Sequence, residues 1–132
     1  MQALSEYSST LIITPQDVAA PAATTGAWID AENLQEGKFV VMAHLTAVAT
    51  AVAQTQIADN AAGANPVNVV GSTVTLTGGA GNTDEIGVIT FDGEELRATN
   101  AAKTFVGCQV TTTAAGDDIS VSLEQWLRYA TT

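Results

Sequence analysis

A mainly β fold is what this sequence predicts, an antiparallel sandwich or barrel, and three observations predict it. Short runs rich in Val, Ile, Thr and Phe recur at intervals of about ten residues. Clusters of Gly, Asn, Asp and Ala separate them, as in residues 59–66 (DNAAGANP), 78–82 (GGAGN) and 114–118 (AAGDD). The last run, residues 119–125 (ISVSLEQ), alternates residue by residue between Ile, Val, Leu, Gln and Ser, Ser, Glu, the period of a half-buried strand. At 132 residues the chain fits one domain and can bury roughly two-thirds of its unfolded surface.

The elements follow in order. Residues 10–14 (TLIIT) form a short β-type run that stops at Pro15. Residues 15–27, with Pro15 and Pro21, read as an extended arm or loop, because proline blocks regular pairing. The organisation expected is thus an N-terminal arm, 1–27, and a single β domain, 28–132. Asp30 is placed to cap one helical turn holding Asn33 and Leu34 and ended by Gly37. Residues 38–45 (KFVVMAHL) are the clearest strand, and apolar residues on both its faces suit a central position. Residues 46–58 (TAVATAVAQTQIA) fit two templates equally: Leu45, Val48, Val52 and Gln56 sit at helical spacing, while Ala49, Ala51, Ala53, Thr55 and Ile57 share one face of a strand. Residues 67–70 and 72–77 read as short strands broken at Gly71. Residues 85–91 read as a strand, 92–97 as a turn or short helix capped by Asp92 and pinned by Leu96, and 105–113 as another strand.

Composition excludes several kinds of function. The net charge is −10, with 4 Lys plus Arg against 14 Asp plus Glu. Lys38, Arg97, Lys103 and Arg128 are scattered, so the clustered cations needed for phosphate are missing, and direct nucleic-acid or anionic-membrane binding is not expected. No basic region followed by an apolar one marks the N-terminus, and no apolar run is long enough for a membrane-spanning helix. Charged residues make up 14% of the chain, against a usual ~25%. A surface of Thr, Ser, Gln, Asn and Ala suits extensive contact with other protein.

The inventory for chemistry is thin, and neither an enzyme nor a cofactor is expected. Cys108 is alone and lies in an apolar run (FVGCQV), so it reads as a small buried residue. His44, the only histidine, lies inside KFVVMAHL and reads as a core or interface residue rather than a base or ligand. The acids at 84–85, 92–95 and 117–118 lack the alternating Asp/Asn pattern of an EF-hand and read as solvated turn acids. The GGAGN stretch lacks the Lys-Ser/Thr ending of a phosphate-binding loop, and no G-x-S-x-G elbow occurs.

Taken together, the segments QTQIADNAAGAN (54–65), GSTVTLT (71–77), DE (84–85), ITFDGEEL (89–96) and FVGCQVT (105–111) resemble, in order and spacing, those of small tailed-bacteriophage virion proteins of the head decoration or cement type. The resemblance spans residues 46–123. It implies an antiparallel β-sandwich, jelly-roll-like, and tips residues 49–58 toward strand. It also implies a virion protein made in the host cytoplasm and placed on the head exterior, partnered by the major capsid protein and by copies of itself, a trimer being favoured. A tail, neck or other capsid-associated subunit and a carbohydrate-binding module are the alternatives. The proline-containing arm and the WLRY tail (126–129) depart from the pattern. Apolar residues near the two ends are therefore the interface candidates: Leu11, Ile12, Ile13 and Trp28 in the arm, and Trp126, Leu127 and Tyr129 in the tail.

Overall fold

The computed structural model describes residues 5–18, 23–46, 48–114 and 116–128. Two antiparallel sheets pack face to face. One sheet runs β1 (Ser5–Val18), β9 (Asp117–Arg128), β4 (Leu34–Leu45), β7 (Thr83–Asp92). The other runs β2 (Ala23–Thr25), β8 (Phe105–Thr112), β5 (Thr50–Ala58), β6 (Val67–Thr77), with β3 (Ile29–Asp30) also paired to β8. Apart from β2–β3 and β5–β6, each strand is followed by one in the other sheet. That order is the jelly roll, and it puts the turns at the two ends of the sandwich. One helix, α1 (Gly93–Asn100), links β7 to β8.

Inward-facing side chains build one core between the sheets. Phe39, Val41 and Leu45 of β4, Val121 and Leu123 of β9, Ala53 and Ile57 of β5, and Val106 and Val110 of β8 are all fully buried. Phe39 and Phe91 meet within it in a tilted contact, their ring centroids 5.1 Å apart. Cys108 belongs to this core, and burial pushes its thiol up to about 12.

The strands at 38–45, 85–91, 105–113 and 119–125 lie where the sequence places them. Residues 50–58 are strand throughout. β5 is flanked by β6 and β8, so the sheet ladder on both edges overrides alanine's helical preference. Gly71 bends β6 without ending it. There Gly71 takes a φ of 81°, and the register slips between Gln54 and Gln56. The Gln54 amide pins this bulge by donating to the carbonyls of Val69 (2.8 Å) and Ser72 (3.1 Å). The turn after β7 forms as expected: Asp92 accepts from the Glu95 amide at 2.8 Å, the Glu95 side chain reaches back to the Asp92 amide, and Leu96 is buried.

Three expectations are corrected. The separate N-terminal arm does not exist over the described residues, because β1 pairs with β9 from Ser5–Arg128 to Val18–Asp117. Pro15 is tolerated because β1 is an edge strand and the ladder is irregular between Ile13 and Gln16, where no ladder bond is asked of it. Pro21 lies outside the described residues. The helical turn at 30–37 is instead a tight turn: Asp30 accepts from the Glu32 amide, Leu34 N–H donates to Ala31, and β4 begins at once. Gly37 is glycine for packing, since a Cβ there would stand 2.6 Å from Cζ of Phe91. Finally, Asp117 is a buried anchor rather than a solvated turn acid, accepting from both the amide and the hydroxyl of Thr46 at 2.9 Å.

Candidate functional site

The alternation that buries Phe39 and Val41 sends Lys38, Val40, Met42 and His44 to the outer face of β4. Register then sets their neighbours. One cross-strand row reads Leu11, Ser122, Val40, Val88, and the next reads Ser120, Met42, Ile86. Four of these side chains are apolar and well exposed: Ile86 at 66%, Leu11 at 50%, Val88 at 46% and Met42 at 45%. Because Ser120 is short, the surface dips beside Met42. Pro15, Met42, Ile86 and Ser120 line a hollow of about 310 Å³, with His44, Asp84 and Asp118 among its other lining residues. A larger hollow of about 420 Å³ lies between the 32–35 turn and α1, but its lining is mostly polar and its Asp92 is committed to the helix cap.

The two ends of this face differ. At one end Glu124 holds two partners: Lys38 Nζ at 2.9 Å from one oxygen, and the Tyr7 hydroxyl donating to the other at 2.9 Å. Lys38 and then Tyr7 hold the Glu124 carboxyl below its usual range, and the same bonds raise both partners. Tyr7 packs on Trp126 with centroids 5.3 Å apart. At the other end a row reads Asp17, Asp118, His44, Asp84. His44 Nδ1 lies 2.5 Å from Asp84 Oδ1, and this bond, with smaller help from the charges of Asp84, Asp118 and Asp117, raises the imidazole above its ordinary value.

That shift has a testable sign. The folded His44 holds its proton more tightly than the unfolded one, so its contribution to stability is present below pH ~6.5 and fades as pH rises through the folded value. An NMR titration of His44 is expected to give a midpoint above ~6.5 that falls back in Asp84→Asn. An unshifted midpoint in the parent protein would show that the pair does not form in solution.

Each interface candidate among the described residues now has a place. Ile12 and Ile13 are corrected: both are buried in the sandwich's own core. Strict alternation would expose one of two consecutive residues, but the register shift between Leu11 and Ile13 turns both inward. Leu11 stays outside, on the face just described. Trp28 is half-buried, its ring lying against Gly63 and Gly107 so closely that a Cβ at either would collide with it. Trp126 is half-buried beside Tyr7, and Leu127 packs against the core edge. Tyr129 lies outside the described residues. Val40, Met42, Ile86 and Val88 were missed. The signal was present in KFVVMAHL, whose two apolar faces suit a central strand but also mean an apolar outer face when the other side is the core.

Among the described residues no group of three or more His, Cys, Asp or Glu could hold a metal ion, and no helix is long and apolar enough to cross a membrane. No protein-family model matches the chain, and no curated protein does. Solved structures do. The PBSX exported protein XepA superposes with a TM-score of 0.53 at 9% identity, over 98% of this chain and 39% of that one. A chain from infectious bursal disease virus, Gx strain, gives 0.55 at 12% identity over 98% of this chain and 34% of its own length. The VP2 subviral particle of the same virus gives 0.54 at 12% identity, over 94% and 33%. This chain therefore spans only about a third to two-fifths of those chains. At such identities the likeness establishes the fold, a β-sandwich.

Proposed function

We propose that this chain is a structural protein of a bacteriophage virion, a decoration or cement protein that sits on the outside of the assembled head and reinforces it. The observation that carries this reading is the apolar outer face of the β1-β9-β4-β7 sheet. A sandwich whose core is already closed has no folding use for Ile86, Val88 and Met42 on one contiguous exposed surface, with Leu11 exposed on the same face beyond Ser122, and such surfaces mark sites of protein contact. The fold is in keeping, since jelly rolls are a common module of viral shells, and the likeness to a VP2 subviral particle adds support. So does the sparse charge, which favours protein contact over phosphate.

The mechanism is mass action: a ligand that binds only the assembled shell stabilises it by the free energy of its binding. No catalytic group takes part. The partners are the major capsid protein and further copies of this chain, a trimer being favoured because shells offer symmetric sites. Purified protein is expected to bind capsids prepared without it and to raise the temperature at which they break open. If the protein neither binds such capsids nor shifts that temperature, the reading fails. Rings or tubes assembled by the protein alone, with no capsid binding, would instead identify a neck or tail subunit.

A further inference from the structure

We propose that the Met42–Ile86 hollow and the acidic row beside it form the docking surface for a protein segment that presents aliphatic side chains next to lysine or arginine. The proposal rests on the capsid reading for where that segment resides; the chemistry comes from the face itself. The apolar half runs unbroken across β4 and β7, from Val40 to Val88 and from Met42 to Ile86, and Leu11 lies on β1 beyond the short Ser122. The hollow between Pro15 and Ile86 has room for an aliphatic side chain.

The charged half chooses the partner. Asp17 and Asp118 stand directly opposite one another, an arrangement that destabilises a sheet. Glu85 and Asp84 line the same hollow, and the only basic group of the row, His44, is already bonded to Asp84. A cationic partner would relieve that repulsion and gain complementarity. A second copy fits poorly: it brings its own net charge of −10, and its Lys38 and Lys103 already hold Glu124 and Asp59.

The test uses the full chain and three labelled peptides: alternating lysine and leucine, lysine and serine, and glutamate and leucine. The lysine–leucine peptide is expected to bind, with amide shifts centred on Met42, Ile86, Asp118 and Ser120. The lysine–serine peptide should bind at least about tenfold more weakly, and the glutamate–leucine peptide should not bind. Ile86→Ser should weaken the first interaction about tenfold at unchanged melting temperature, since its side chain is exposed, and Asp118→Asn should weaken it less while raising the melting temperature, because the repulsion with Asp17 is relieved. Equal binding of the lysine–serine peptide, or shifts on another face, overturns the proposal. So does self-association abolished by Ile86→Ser, which would make the occupant a second copy. The two readings fail separately. Peptide binding without capsid binding ends only the capsid reading, whereas capsid binding untouched by Ile86→Ser ends only the docking surface.

Discussion

Phe39→Ala is expected to destabilise the protein by about 3–5 kcal/mol, lowering its melting temperature by roughly 10–20 °C. Phe39 is fully buried at the centre of β4, which is itself held between β7 and β9. Its removal forfeits apolar burial and leaves a cavity that neighbours from both sheets can only partly fill. It also ends the tilted contact with Phe91, worth a further ~0.5–1.5 kcal/mol in comparable pairs. Gly37 makes relaxation harder, because the Phe91 ring already lies over it and has little freedom to swing. Since a domain of this kind is stable by only about 5–15 kcal/mol, the variant should sit near the edge of folding at 37 °C. Urea denaturation followed by circular dichroism reads the effect, and a loss below about 1 kcal/mol would mean that the two sheets do not meet around this residue.

Gly63→Ala is expected to cost about 2–5 kcal/mol through two independent causes. Gly63 has a φ of 76°, which an L side chain adopts at a penalty of about 1–2 kcal/mol. Its missing Cβ would also stand 2.5 Å from Cε2 of Trp28, so the indole must move, at a cost of order 1–3 kcal/mol. The indole cannot simply slide toward β8, because Gly107 gives way to it there with equally little room. The loop bearing Gly63 is otherwise well fastened. Asn60 accepts from the amides of Ala62 and Ala64, and Lys103 bonds to both Asp59 and the Asn65 carbonyl. The strain therefore falls on the tryptophan, and a changed Trp fluorescence maximum should accompany the lower stability. In a double-mutant cycle Trp28→Ala should recover the packing part of the loss and leave the backbone part. Strict additivity would show that the two groups do not touch.

Much of the fold was legible because its signals are local. Alternation in 119–125, the β-branched run at 38–45 and the Gly-Asn turns each depend on a handful of adjacent residues. The Asp92 cap was legible for the same reason, since donor and acceptor lie three residues apart. Residues 46–58 were not settled by periodicity, because alanine fits either template, and only pairing to β6 and β8 makes them strand. The candidate site was legible in part. Leu11 was singled out and lies on the outer face, but Ile12 and Ile13 were singled out with it and lie in the core.

By itself the sequence determined what kinds of structure and chemistry were open to this chain. Its strands and turns were marked, its one thiol and one imidazole were isolated, and its few cations were scattered too widely to grip phosphate. Tertiary structure alone decided which apolar residues face water. A period of two assigns residues to two faces but cannot say which face is covered, and a one-residue slip exchanges them. The irregular β1–β9 register sends both Ile12 and Ile13 inward, and the packing of the second sheet leaves Val40, Met42, Ile86 and Val88 on the uncovered side. Those are long-range events, set by partners far away in the chain, and so the surface most telling about function was the part that local sequence could least reveal.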